Sequence, residues 1–126
     1  MIEKLILVGT GGFIGSALRF LVQVYASKLI SSTLPLGTFL VNITGSLLIG
    51  MVYAISEKGN LMSPEWRIFL TVGFCGGFTT FSTFAFDNLM LLRDNSIFHL
   101  LLNAGGSLIA GIMAVYAGII IVRLIL

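Results

Sequence analysis

The chain has 126 residues, of which 57% are hydrophobic and only 10% charged, and its mean hydropathy is +1.08. About a quarter charged is usual for a soluble domain, so the composition excludes a soluble module and places the chain in lipid. The formal charge of +2 arises from seven basic and five acidic residues scattered along the sequence; they form no basic patch, and no nucleic-acid partner is expected.

The first apolar stretch covers about residues 5–26, long enough for the ~20 residues that cross a bilayer. Lys4 ahead of an apolar run resembles the start of a secretory leader, but the run is longer and richer in glycine than a cleavable h-region of about 7–15 residues. Val8-Gly9-Thr10-Gly11-Gly12-Phe13-Ile14-Gly15-Ser16 looks like a dinucleotide-binding turn. That motif needs a preceding strand, a βαβ unit and an acid about 20 residues later, and here Pro35 and Leu36 lie near that distance. Helix packing is the better reading: Gly11 with Gly15, and Gly12 with Ser16, are small-xxx-small pairs that allow close backbone approach. Arg19 lies inside this span, where a central charge costs about 2.5–3.5 kcal/mol on insertion scales. It needs a carboxylate, a helix C-terminus or water, either as a structural counter-charge or as an attractor of anions.

After a polar break ending at Pro35, the second span covers about residues 36–55. Thr38, Asn42 and Ser46 fall at i, i+4 and i+8, a polar stripe on an otherwise apolar helix with Gly45 beside it. Polar groups inside a span tend to mark pathways, although Asn42 could instead bond a neighbouring helix. Ser63-Pro64-Glu65 reads as an N-cap followed by proline and an acid in the first turn, and opens a third span over about residues 66–92.

This third span carries Gly73-Phe74-Cys75-Gly76-Gly77-Phe78-Thr79-Thr80-Phe81-Ser82-Thr83-Phe84 at its middle. Gly-Gly followed by Thr-Thr weakens a helix through backbone freedom and competing hydroxyl bonds. Freed carbonyls at membrane depth are tolerated only where protein or a watery cavity satisfies them, so the segment reads as a broken helix built around an ion path. Once the helix resumes, Phe81, Phe84 and Asp87 at i, i+3 and i+6 share roughly one face. Cys75 has no second cysteine to pair with and reads as packing. A fourth span covers about residues 98–125. His99 at its start reads as interfacial, Asn103 and Ser107 make a short polar stripe, and Ala110, Ala114 and Gly118 repeat the small-residue spacing. The whole is expected to be one all-α, four-helix transmembrane domain, residues 1–126.

With both termini on one side of the membrane, Lys4, Lys58, Arg67 and Arg123 face Lys28 and Arg93 across it. Basic residues near span ends set orientation, so this weak bias permits insertion both ways.

Gly11-Gly12-Phe13-Ile14-Gly15 with Arg19, Pro35-Leu36-Gly37-Thr38-Phe39 leading to Asn42, and the third-span motif together resemble the CrcB/Fluc family of bacterial fluoride channels, over essentially the whole chain. The resemblance implies a passive fluoride exporter of the bacterial cytoplasmic (inner) membrane: an antiparallel, dual-topology homodimer with two pores and a structural Na⁺ at its centre. It implies that Gly76 and Thr79 give backbone carbonyls to Na⁺, that Phe81 and Phe84 flank the fluoride path, and that Asn42 points its amide into it. Ser82, Thr83, Thr38, Ser107 and Arg19 belong to the same pathway reading, with Asp87 at a vestibule position where relatives can carry a glutamate. The fourth span departs from the pattern, with Asn103 where some relatives place a tyrosine and Gly111 where some place a serine. Two other classes stand beside this one. A proton-coupled multidrug-type transporter needs a central acid in the first span, which has only the terminal Glu3; a non-conducting structural membrane protein leaves the buried polar groups without a purpose.

Overall fold

The computed structural model describes every residue, Met1–Leu126, and contains helices and no strand. Four segments are long and apolar enough to cross a membrane: Ile2–Leu29, Leu36–Ser56, Pro64–Arg93 and Ile97–Ile125. The first two are α1 and α2. The third is divided into α3 (Pro64–Ile68), a π-helical stretch (Phe69–Cys75), α4 (Gly76–Phe78) and, after a break, α5 (Phe81–Arg93); the fourth is α6 (Ile97–Ile125). The helices overrun the apolar stretches at their ends because charged residues can complete them. α1 has Glu3 in its first turn and Lys28 in its last, the signs that its dipole favours. At the start of α3 the Ser63 hydroxyl accepts from the Trp66 N–H at 3.3 Å and Pro64 occupies the first turn, as the sequence predicts.

The glycine-rich stretch at residues 8–16 lies within the unbroken helix α1. No strand precedes it, and its role is packing. Gly11 and Gly15 are buried and face the backbone of Phe69, Phe74 and Phe78. On the other side of the bundle α2 and α6 run parallel, with Gly50 against the Val115 backbone and Gly118 against Leu47 and Met51. Ala114 and Gly118 are both buried, as the small-residue spacing predicts. Only 18 of 126 residues are buried, so most apolar side chains point outward, the arrangement of a multi-pass membrane protein in which lipid replaces a core.

Gly77 is one of the tight points between α1 and the third segment, beside Gly11 and Gly15. A Cβ there would stand 2.6 Å from the Gly12 carbonyl oxygen and 3.0 Å from both the Gly12 Cα and the Ser16 hydroxyl. Because two of these neighbours are backbone, Gly77→Ala is expected to push α1 away from α4 and to destabilise by about 1–3 kcal/mol, the usual range for overpacking. Thermal unfolding in detergent measures this, and an unchanged midpoint is the opposing result.

The ends of α2 and α6 are tied by Arg123, whose Nη2 lies 3.1 Å from Glu57 Oε2. The Arg123 guanidinium, with the Tyr53 hydroxyl adding to it, holds the Glu57 carboxyl below its ordinary range. A depressed carboxyl contributes stability above its unfolded value and loses it as pH falls through the folded one. Both side chains are exposed, which keeps the contribution of such a pair small.

Candidate functional site

The third segment leaves the helix at Thr79 (φ −86°, ψ 160°) and Thr80 (φ −150°, ψ 121°), both extended. The sequence places the break over Gly76 to Thr79, and the structure confines it to the threonine end, at Thr79 and Thr80. Gly76–Phe78 is still helical, with Gly76 at φ −61° and ψ −38°. Gly77 is needed for its lack of a side chain against Gly12, and the threonines break the helix because their hydroxyls and Asn42 offer the backbone other partners.

Several of the groups released by the break can be followed. Thr79 is tied back to Cys75, its N–H donating to that carbonyl at 3.0 Å and its hydroxyl at 2.8 Å. Arg19 Nε donates to the Gly77 carbonyl at 2.9 Å. The charge in the first span has therefore found a helix C-terminus, one of the three partners open to it, where the dipole favours a cation. Asn42 grips Thr80 at both ends: its Oδ1 accepts from the Thr80 N–H at 2.8 Å and its Nδ2 donates to the Thr80 carbonyl at 3.1 Å. The second N–H of Nδ2 stays free for another acceptor. The Thr80 hydroxyl then caps α5, accepting from the Thr83 N–H at 3.2 Å. It also donates to the Thr83 hydroxyl at 3.2 Å and lies 3.5 Å from the Ser82 hydroxyl.

The carbonyls of Thr79 and Gly76 are among those left over. That of Thr79 accepts no hydrogen bond, and the regular helical donor to Gly76, the Thr80 N–H, is held by Asn42 instead. Both residues border an open cavity of about 320 Å³ whose lining includes Asn42, Ser46, Thr80 and Phe81. Beyond the break a second cavity, of about 520 Å³, is lined by Gln23, Thr38, Thr83 and Asp87. In it Thr38 donates to Asp87 Oδ2 at 2.9 Å and accepts from Gln23 at 3.4 Å. Since Thr80 lines the first cavity and Thr83 the second, their bonded hydroxyls join the two into one polar track.

Phe81 borders the first cavity, and Phe84, which borders neither, lies next to Phe81, their ring centroids 6.0 Å apart and tilted by 46°. Phe81 is 79% exposed. Ser46 donates to the Asn42 carbonyl of its own helix at 2.7 Å. Ser107 borders neither of these cavities; it lies 3.5 Å from Asn103 Oδ1, which stands apart from the Asn42–Thr80 group. The parallel register that sets Gly111 across from Ser46 puts Ser107 one turn away at the level of Asn42. Cys75 is buried and free, in keeping with a packing role. Sequence reasoning missed Asn88, which accepts from Asn103 Nδ2 at 2.9 Å. Its position four residues after Phe84 on an apolar helix was the available signal.

Residues 6–119 match the family described as CrcB-like protein, Camphor Resistance (CrcB). The chain belongs to the CrcB family. Among curated relatives of this CrcB chain, one from Chlorobium luteolum is 45% identical over 117 residues, covering 93% of this chain and 90% of its own length. One from Chlorobium chlorochromatii is 44% identical, covering 98% of this chain and 97% of the relative. A more distant one, from Leptospira interrogans, is 40% identical over 124 residues, 96% of this chain and 95% of its own. Each of the three is named a fluoride-specific ion channel, FluC.

In this CrcB chain Asn42 is the residue on which the break depends. Asn42→Leu is expected to leave the N–H and the carbonyl of Thr80 without partners, at about 1–3 kcal/mol for each buried group. Thermal unfolding of the purified variant reads the loss, and wild-type stability is the result that opposes it.

Proposed function

We propose that this chain is a fluoride-selective passive channel, not an enzyme, that it works as an antiparallel homodimer in the bacterial cytoplasmic membrane, and that a structural Na⁺ lies at the dimer centre. The observation that carries the reading is the break at Thr79–Thr80: donors and the Phe81 ring line an open polar track there, at a depth where an ordinary span has no such track. The fluoride-specific names of the relatives support the choice of anion.

Fluoride is small and strongly hydrated, so a selective pore must replace its water with donors while offering no stable resting place. The free N–H of Asn42, the hydroxyl of Thr83 and the electropositive edges of Phe81 and Phe84 supply such donors. Asp87 and Thr38 line the vestibule at one end, where a carboxylate deters an anion from lingering. No coupling is needed for export. Hydrogen fluoride enters as a neutral acid and dissociates inside, and an inside-negative potential drives the anion outward by about 2.3 kcal/mol per 100 mV.

The residues present fit a hard monovalent cation. The left-over carbonyls of Thr79 and Gly76 are oxygen donors on the open face of the break, and no cluster of His, Cys, Asp or Glu competes as a metal site. When bound, Na⁺ supplies a fixed positive charge near the anion route. Gly76 and Thr79 would hold it, with equivalent carbonyls of a second copy completing the shell. Protein purified without Na⁺, in K⁺ or Li⁺, is expected to lose flux or dimer stability. Undiminished flux after exhaustive Na⁺ removal argues against a structural ion.

The function is tested in cells made fluoride-sensitive by loss of their own exporter. Expression of this chain is expected to restore growth in fluoride, and no protection by correctly inserted protein contradicts the reading.

A further inference from the structure

We infer that Asn88 and Asn103 form a positioning pair that fixes the rotation of α5 about its own axis and thereby aims Phe81 and Phe84 into the anion path. The inference rests on the channel reading above.

α5 carries the two rings, yet its own packing does little to orient it. Leu91 is its only buried residue, and Phe81 is 79% exposed. In lipid an apolar side chain gains little by facing another helix in place of an acyl chain, so directional contacts must set the rotation. There are two along the body of the helix. Asp87 accepts from Thr38 of α2 at 2.9 Å, and Asn88 accepts from Asn103 of α6 at 2.9 Å. Successive residues point about 100° apart on a helix, so neighbouring side chains held by two different helices fix a rotation that one contact alone leaves free.

Asn103 is suited to hold its end. It is 6% exposed, so its amide is costly to leave unpaired, and the Ser107 hydroxyl, 3.5 Å away on the carbonyl side, orients it with the amino group toward Asn88. Phe84 and Phe81 lie four and seven residues before Asn88, on the same helix face, so a turn of α5 that breaks the Asn88 bond moves both rings together.

The test separates aiming from mere stability. Replacing both partners of a buried hydrogen bond by apolar groups of similar shape is nearly neutral for folding, so Asn88→Leu/Asn103→Leu is expected to keep the dimer and its melting temperature. Flux per dimer in liposomes is nevertheless expected to fall about tenfold, the factor that an interhelical bond of membrane strength corresponds to, and discrimination against chloride is expected to fall with it. Asn88→Ser, which keeps a polar group but shortens it out of reach of Asn103, is expected to show the same paired loss, and it serves where the double variant does not fold. Wild-type flux and wild-type selectivity in either folded variant overturn the inference. The unmodified protein is measured alongside, so that absence of fluoride flux in it marks failure of the channel reading and not of the pair.

Discussion

Replacing Phe81 or Phe84 with Ile is expected to lower fluoride flux by about tenfold or more, on the scale of a lost aromatic contact, while leaving the dimer intact. Ile keeps most of the apolar bulk but has no ring edge to present to an anion. The geometry argues that the loss falls on permeation and not on folding. Phe81 is largely exposed within the subunit, and the pair touch one another at 6.0 Å between centroids instead of filling a core. Each variant is purified, its oligomeric state checked, and its efflux rate measured in liposomes with a fluoride electrode. Wild-type rates in both dimeric variants remove the aromatic path from the account.

Adding two or three lysines beside Arg93 is expected to drive the chain to one orientation, and adding them beside Lys58 to the other. The native balance is four basic residues on one side, Lys4, Lys58, Arg67 and Arg123, against Lys28 and Arg93 on the other, weak enough to leave orientation nearly undecided. Each biased variant alone is expected to fail to protect fluoride-sensitive cells, because an antiparallel dimer needs both orientations to complete the open face at Thr79 and Phe81. Co-expression of the two is expected to restore protection. If a single variant, shown by cysteine accessibility to insert one way only, rescues as well as the pair, the working unit is parallel or monomeric.

Much of the fold was legible because the membrane restricts the choices. The four apolar stretches could only be helices, and Gly11, Gly15 and Gly118 announced close packing by their spacing. The broken third helix was also legible, but not its position. Gly76-Gly77 and Thr79-Thr80 are all weak helix formers, and no local rule says that the glycines stay helical against Gly12 while the threonines turn outward to Asn42, fifty-eight and thirty-eight residues being the separations at which Arg19 and Asn42 act. The Thr38–Asp87 contact and the Asn88–Asn103 pair were hidden for the same reason, since each joins residues of different helices whose rotation only packing decides. The π-helical stretch Phe69–Cys75 had no sequence signal that separates it from an ordinary helix.

Efflux from liposomes loaded with fluoride, and separately with chloride, tests the central claim most directly. The protein reconstituted in Na⁺ with a counter-ion pathway is expected to empty its fluoride rapidly and to retain its chloride. Chloride efflux at a comparable rate, or fluoride efflux no faster than from protein-free vesicles, contradicts a fluoride-selective channel.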